Sequence, residues 1–548
     1  MRCCIASLKT LFITTCLIAF YCLEPCVSRA NDTDYEAPAG YYTSAAGLTG
    51  SALQTQLRSI ISTGFVGRSY GDLRYADAIL DADPNHAGNI LLIYNRASVS
   101  STWDSGSTWA REHQWPVSKL GTDDPNNNNI DMRSDEFLIR PINPSVNSSR
   151  SNSPYGTTTS SGTYGYQTTG YWYPGDADSG DCARAMFYAV TRYTSYGGNS
   201  LSLVNGSPST YQMGDLNSMV HWNYTDAPDS FERRRNQAVY SSTLNPTYYQ
   251  GNRNPFIDHP EYVWSVFEDQ KNDTSIATST HSVDLGRVIV GASLGTQSVT
   301  INKTGVDGTY YSVMASGSAT STVSGHYNAF AMDTTGSKAT TVGLNASTST
   351  AGLKSGTVTV DNLDITTEGG AGKGANDPDD VISVSASVFD HAQPSFRNAG
   401  SQSTLSLDFG SVPQNSGRHS IDFSLFNNML TQGYTAGLDL DSIAASGSTG
   451  VLSTSLNAFA SLAAGNEADF AAIIDTAATG DFNAAYTLNV SDENIPGAAT
   501  LAPLTLELHG TVTAVPEPAV VILLLTAALA LPGMTKLNRM RTSSATNE

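Results

Sequence analysis

Glu112 and His113 stand side by side in Trp109-Ala110-Arg111-Glu112-His113-Gln114-Trp115-Pro116-Val117-Ser118, and an amide follows in Val146-Asn147-Ser148-Ser149-Arg150-Ser151-Asn152. Hydrolysis of a phosphodiester needs a base for the attacking water and positive charge for what develops on the phosphorus oxygens. Mg²⁺ prefers oxygen ligands and keeps several waters, so one carboxylate and one amide oxygen are a sufficient protein share. The residue types therefore suit Glu112 and Asn147 as ligands of Mg²⁺, or of another hard cation such as Mn²⁺ or Ca²⁺. His113, neutral near pH 7, suits the base. An isolated Glu-His pair carries little weight by itself. The chain has no H-E-x-x-H and no Walker A motif, which disfavours a zincin protease and an NTPase.

Such a site makes demands on the elements around it. Neighbours on a flat strand face opposite ways, so a bend or strand end is expected at Glu112-His113, encouraged by Pro116. Asn143-Pro144 supplies an N-cap and an N1 proline. A short helix from Pro144 would carry Asn147 and Arg150 on one face, with Arg150 set to grip a phosphate oxygen. Leu53, Leu57, Ile60 and Ile61 predict an amphipathic helix that ends before Gly64. Asn89–Tyr94 reads as a strand. Ala183, Met186, Phe187 and Val190 mark a helix from near Asp181 to Gly197-Gly198, with Cys182 a packed small residue in its first turn. Asp229 to Glu232 has capping-box spacing for a helix through Val239. Arg233, Arg234 and Arg235 then point three ways and read as a solvated face.

The 548 residues exceed one core and suggest several domains. Only 14% are charged, with Ser, Thr, Gly and Asn abundant, as suits an exported β-rich chain. A net charge of −21 argues against holding nucleic acid by a broad basic surface. It predicts instead weak long-range attraction, strong cation dependence and a shallow salt slope. Five of the six cysteines (Cys3, Cys4, Cys16, Cys22, Cys26) precede Val27, leaving Cys182 and no disulfide framework.

Residues 1–30 read as a signal peptide, with Arg2 and Lys9, the apolar Leu11–Tyr21 and the cleavage site Ser28-Arg29-Ala30. Residues 31–270 mix helix and strand signals. Residues 277–390 and 396–513 read as two all-β sandwich domains. Val283-Asp284-Leu285-Gly286-Arg287-Val288 before Ser298-Val299-Thr300-Ile301 is matched by Leu407-Asp408-Phe409-Gly410-Ser411-Val412 before Ser420-Ile421-Asp422-Phe423. The boundary is expected near Glu368–Asp380 or just after Val388. Asn376-Asp377-Pro378-Asp379-Asp380 reads as an acidic turn rather than a Ca²⁺ loop. At 515–541, Val515-Pro516-Glu517-Pro518 precedes an apolar run to Pro532 and then Lys536, Arg539 and Arg541. The run is short of the ~20 residues that span a bilayer comfortably. This layout resembles the PEP-CTERM sorting signal. The resemblance implies an exosortase-type sorting enzyme as partner, transient anchoring in the inner membrane, and delivery to the cell surface or outside.

Arg111–Ser118 resembles the E-H-x-W-P-x-S motif of the bacterial endonuclease I family of secreted or periplasmic nucleases. Ser134-Asp135, Arg140-Pro141, Val146-Asn147-Ser148 and Arg150-Ser151-Asn152 resemble its second motif. Gly180–Ala185 with Phe187-Tyr188, then Glu232 with Arg235-Asn236, then Gly251–Pro260 resemble three more, covering roughly residues 36–268. The resemblance implies an α+β His-Me finger (ββα-metal) nuclease domain, and the alternating runs beyond it are expected to form two immunoglobulin-like sandwiches. It implies His113 as general base and Glu112 and Asn147 as Mg²⁺ ligands. It further implies cleavage of DNA, and often RNA, with little sequence preference. Many relatives carry a His where this chain has Phe137; the Glu136 carboxylate could compensate. Arg253 in the closing motif reads equally as a phosphate contact or as a tie between loops, and His259 as shaping a turn. The rival reading is a weak or inactive nuclease-like domain on a surface or matrix protein, its sandwiches binding extracellular polysaccharide or acting as spacers.

Overall fold

The computed structural model describes residues 35–122, 126–157, 162–167, 169–268, 274–332, 335–363 and 377–515. The expected signal peptide and the apolar tail after Val515 lie outside them. Among the described residues no helix is long and apolar enough to cross a membrane.

The N-terminal part is built around one buried helix, Ser179–Arg192, in which every residue from Ser179 to Thr191 is shielded. Its charged residues survive burial because each is paired. Arg184 grips Glu232 with Nε and Nη2 at 2.6–3.0 Å, and Asp181 takes Arg140 at 3.3 Å. Cys182 is buried in the first turn, where desolvation pushes its thiol up and leaves it inert. Helix Gly50–Ser62 packs against this core with Leu53, Leu57 and Ile61, and the chain turns at Gly64 (φ 74°). The strand expected over Asn89–Tyr94 is shorter, Asn89–Leu91, because Tyr94 takes a left-handed φ of 70°.

Helix Ser230–Tyr240 starts at Asp229, whose carboxylate accepts Glu232 N at 2.8 Å. The reciprocal half of a capping box is missing because Glu232 is spent on Arg184. The expectation of a solvated arginine face is corrected. Arg235 is buried, with Nε on Asp81 and Nη2 on the carbonyls of Glu136 and Ile139. Arg234 caps the carbonyls of Ile79 and Leu80, and Arg233 lies 4.4 Å over the Tyr327 ring. Arg233 and Arg235 are buried and Arg234 half-buried, each turned to a different partner.

The site-bearing segment is a two-stranded antiparallel sheet followed by a helix. Strand Ala110–His113 pairs with Ile139–Ile142, placing Glu112 opposite Arg140 and His113 opposite Ile139. Helix Pro144–Arg150 follows at once. Its N-cap Asn143 accepts Ser145 N at 2.9 Å and Val146 N at 3.3 Å, with Pro144 in the first turn as the sequence predicts.

Two β units follow with the same plan. Each is a four-stranded sheet facing a five-stranded one, with apolar side chains from both sheets filling the space between. In the first, strand Ser282–Ile289 runs parallel to Asp380–Phe389; in the second, Thr404–Pro413 runs parallel to Leu504–Thr513. Both edge strands bulge at the repeated Asp-x-Gly. Asp284 and Asp408 accept the amides of Gly286 and Gly410 at 2.9 and 2.8 Å, and those glycines have φ of 84° and 64°. Strand Asp380–Phe389 still belongs to the first unit, and Pro394–Ser395 already pairs in the second. Asp377 and Asp380 in the acidic turn accept amides of Ile276 and Thr278 at 2.7 and 2.8 Å, so they pin the sheet edge. Among the described residues no cluster of three or more acidic, His or Cys side chains could hold a metal.

The first β unit is packed onto the N-terminal part. Tyr310 and Ala329 belong to its hydrophobic core, and the Tyr310 hydroxyl donates to the Asn223 carbonyl. A Cβ on Gly308 would stand 2.6 Å from the Tyr224 ring, so only glycine allows this approach. The second unit is tied to the first by the two-pronged Arg287–Glu493 pair at 2.6 and 2.8 Å.

Candidate active site

Strand Ala110–His113 ends at His113, and the backbone turns through Pro116 into the 3-10 turn Val117–Leu120. That strand end lets two consecutive side chains serve one space. Glu112, His113, Asn147 and Arg150 line a single cleft of about 230 Å³ together with Arg111, Ser118, Ser151 and Asn152. The residues expected from sequence to share a site, Glu112, His113, Asn147 and Arg150, are thus brought together.

Glu112 is 2% exposed and held on one oxygen. Its Oε1 accepts the Tyr94 hydroxyl at 2.9 Å and faces Arg150 Nη1 at 3.1 Å. Tyr94 is anchored in turn by the Tyr155 hydroxyl at 2.7 Å and by its own amide, which donates to Asp178 at 2.8 Å. The left-handed backbone at Tyr94 is what aims the ring at Glu112, at a cost of about 1–3 kcal/mol that the Asp178 bond helps offset. Burial pushes the Glu112 carboxyl up, opposed by Arg150 and by the Tyr94 hydroxyl. Glu112 Oε2 and the Asn147 amide have no hydrogen-bond partner among the described residues. A buried acid with one open oxygen, beside an open amide oxygen, is a donor set that fits a hard divalent cation.

His113 is half-buried. Its Nε2 lies 3.0 Å from the Arg133 carbonyl. A carbonyl only accepts, so Nε2 carries the proton and Nδ1 keeps the lone pair. Burial pushes the imidazole down to about 4, against the Arg133 carbonyl, with the Arg111, Arg150 and Arg133 charges adding to the fall. The ring is neutral across the physiological range. Arg133 O is fixed by a capping box at Asp131–Ser134, and the adjoining Asp135 takes the hydroxyls of Tyr188 and Tyr193, both at 2.9 Å, and Gln250 Nε2 at 3.0 Å. The Ser134-Asp135 pair that sequence marked directly follows the residue whose carbonyl meets His113.

The two arginines are placed differently. Arg150 reaches the cleft but is 1% exposed, with Nη1 on the His113 carbonyl at 2.9 Å and Nη2 on the Gln114 carbonyl at 2.6 Å. It holds Glu112 and the bend after His113 from the cleft wall, and its Nε has no hydrogen-bond partner among the described residues. Arg253 does not line the cleft. It is fully buried and forked onto Asp258 at 2.7 Å, with further bonds to Gln237 and to the Tyr35 carbonyl. Of the two roles open for Arg253, the tie between loops is the one observed. His259 closes helix Pro255–Asp258 and bonds Glu261 at 2.9 Å. Phe137 is buried 4.7 Å from the Tyr188 ring, and Glu136 is buried with both carboxyl oxygens unpartnered. Neither lines the cleft, so Glu136 does not compensate for a missing histidine. Sequence reasoning missed Tyr94, Tyr155 and the Arg133 carbonyl, because no local spacing announces a partner that only the fold brings near.

Residues 49–261, the span containing this cleft, match the Endonuclease I family. An extracellular ribonuclease of Bacillus amyloliquefaciens is 34% identical over 255 residues, which is 45% of this chain and 84% of that protein. The chain belongs to the endonuclease I family. An extracellular ribonuclease of Bacillus subtilis (strain 168) is 34% identical over 237 residues, 41% of this chain and 78% of its own length. As a member of the endonuclease I family the chain is a nuclease, an enzyme that hydrolyses phosphodiester bonds, and its substrate is nucleic acid. The two β units lie beyond the family match. Among solved structures, the adhesive subunit CfaE of the CFA/I fimbria of enterotoxigenic Escherichia coli is 7% identical over 44% of this chain and 87% of that one, with a TM-score of 0.20, too slight a likeness to argue from.

Proposed function

We propose that the chain is an exported, Mg²⁺-dependent endonuclease that cleaves RNA and DNA with little sequence preference. The observation that carries this reading is the convergence of an open Glu112 oxygen, an open Asn147 amide and the lone pair of His113 on one cleft. His113 Nδ1 takes a proton from the attacking water while Nε2 stays bonded to Arg133 O. Glu112 and Asn147 would hold the cation, with Mn²⁺ or Ca²⁺ as substitutes. Bound there, the cation offsets charge on the scissile phosphate and on the leaving oxygen. Arg150 keeps Glu112 and the His113 backbone in register from the wall of the same cleft, where it would face a phosphate oxygen. The strand–strand–helix order around the cleft supports a His-Me finger assignment, and the paired sheets support an immunoglobulin-like one.

That the Bacillus relatives are named extracellular ribonucleases supports RNA as a substrate and supports export. With a signal peptide at 1–30 and a PEP-CTERM-like segment at 515–541, the route is secretion, transient anchoring in the inner membrane, processing by an exosortase-type enzyme and release at the surface. Phe137 packs in the core beside Tyr188 and does not line the cleft, which supports the active reading over a weak or inactive one.

The test is nicking of supercoiled plasmid and cleavage of a single-stranded RNA by the purified full chain, with Mg²⁺, with EDTA and with His113→Ala. The expected result is Mg²⁺-dependent cleavage of both substrates that EDTA and the substitution abolish. Cleavage that persists in EDTA, or none in Mg²⁺, overturns it.

A further inference from the structure

The Tyr70 ring stacks on the His113 imidazole, with centroids 4.7 Å apart and planes at 30°. The Arg111 guanidinium lies 3.7 Å from the centroid of the same ring and 5.2 Å from that of Trp103, which meets Trp109 edge-on at 4.8 Å. Arg111 and His113 are two apart on one strand, so both side chains leave on the same face, where Tyr70 contacts both.

We propose that Tyr70 is a positioning residue for the hydrolysis, fixing the plane of the His113 imidazole so that its Nδ1 stays aimed into the cleft. The proposal rests on His113 being the general base. A single hydrogen bond from Nε2 to Arg133 O leaves the imidazole free to swing about that bond, and a flat ring against its face removes the freedom. Tyr70 itself has little freedom. It is 8% exposed, its amide donates to the Asn129 carbonyl at 3.0 Å, and its carbonyl accepts from Arg111. The Tyr70 hydroxyl has no partner among the described residues, so the ring face and not the hydroxyl does the positioning. Arg111 adds a cation–π contact, which orients Tyr70 from the strand that carries His113.

The experiment compares wild type, Tyr70→Phe, Tyr70→Leu and His113→Ala as full chains in Mg²⁺, on one oligonucleotide substrate. Tyr70→Phe keeps the flat ring and is expected to hold kcat and KM within about two-fold. Tyr70→Leu is expected to lower kcat by ~10²-fold, the order associated with misplacing a reacting group by an ångström, with KM within about three-fold. A merely structural role would lower the melting temperature of Tyr70→Leu and leave kcat of the folded chain unchanged. If Tyr70→Leu does not fold, the His113 Cε1 proton in the wild-type chain is read by NMR. The ring current of Tyr70 moves it upfield of the ordinary imidazole position. A folded Tyr70→Leu with wild-type kcat, or an unshifted Cε1 proton, overturns the proposal. Activity in His113→Ala overturns instead the assignment of the base.

Discussion

Arg150 Nη1 and Glu112 Oε1 meet at 3.1 Å with both side chains almost wholly out of water, and the same guanidinium spans the carbonyls of His113 and Gln114. One cation thus ties the acid, the backbone of the base and the bend after it. Arg150→Ala is expected to leave Glu112 as an uncompensated buried charge and to cost about 3–5 kcal/mol of stability. Arg150→Lys is expected to lose most activity as well, because an ammonium cannot span both carbonyls and Glu112 together. Urea unfolding and nuclease assays on the two variants check this.

Tyr94 holds the Glu112 carboxylate by its hydroxyl at 2.9 Å without reaching the cleft itself. Tyr94→Phe is therefore expected to raise the Mg²⁺ concentration needed for half-maximal cleavage by about 10–100-fold, the usual cost of removing such a support. Saturating Mg²⁺ restores kcat. Glu112→Gln and Asn147→Ala are expected to raise that concentration further, read by Mg²⁺ titration of cleavage.

His113 is pushed down to about 4, so as a base it stays competent well below the pH at which an ordinary imidazole is lost. At saturating Mg²⁺, kcat is expected to hold from pH 8 to about 5 and to fall as pH drops through about 4. A fall centred near 6.5 contradicts the burial described above. The stability sign follows from linkage. Between about 4 and 6.5 the unfolded chain binds more protons at this histidine, so its contribution to stability is present above that window and is lost as pH falls through it. His113→Phe is expected to lose less stability than wild type between pH 7 and 4.5.

Asp77 and Glu136 are fully buried, all four of their carboxyl oxygens lack partners, and burial pushes both well above the ordinary carboxylate range. For an acid raised on folding, the folded chain binds more protons, so its contribution declines as pH rises above the unfolded value. Glu136→Gln and Asp77→Asn are expected to raise the melting temperature at pH 8 and to change it little at pH 4.5. Differential scanning calorimetry at the two pH values decides it.

Tyr310 and Ala329 of the first β unit lie in the core of the nuclease part, against Tyr224. A chain ending at Glu268 is expected to melt at lower temperature than the full chain, because that apolar face meets water. Thermal unfolding of the two chains tests it.

Much of the local structure was legible in the residues. Asn143-Pro144 dictates where its helix starts, since an Asx acceptor satisfies free amides and a proline needs none. The Asp-x-Gly repeat dictates the bulges, since only glycine takes that φ without strain. The motif around Glu112 and His113 pointed to the cleft. The tertiary structure decided the rest. It drew the Arg233–Arg235 run and Arg253 inward, committed Arg150 to the backbone, and set Tyr70 and Tyr94 against residues far off in sequence. The physical reason is that backbone preference, capping and turn chemistry act over a few residues and are written where they act. A buried charge or a stacked ring takes its energy from whichever group the fold delivers to it, and that group leaves no mark at its own position.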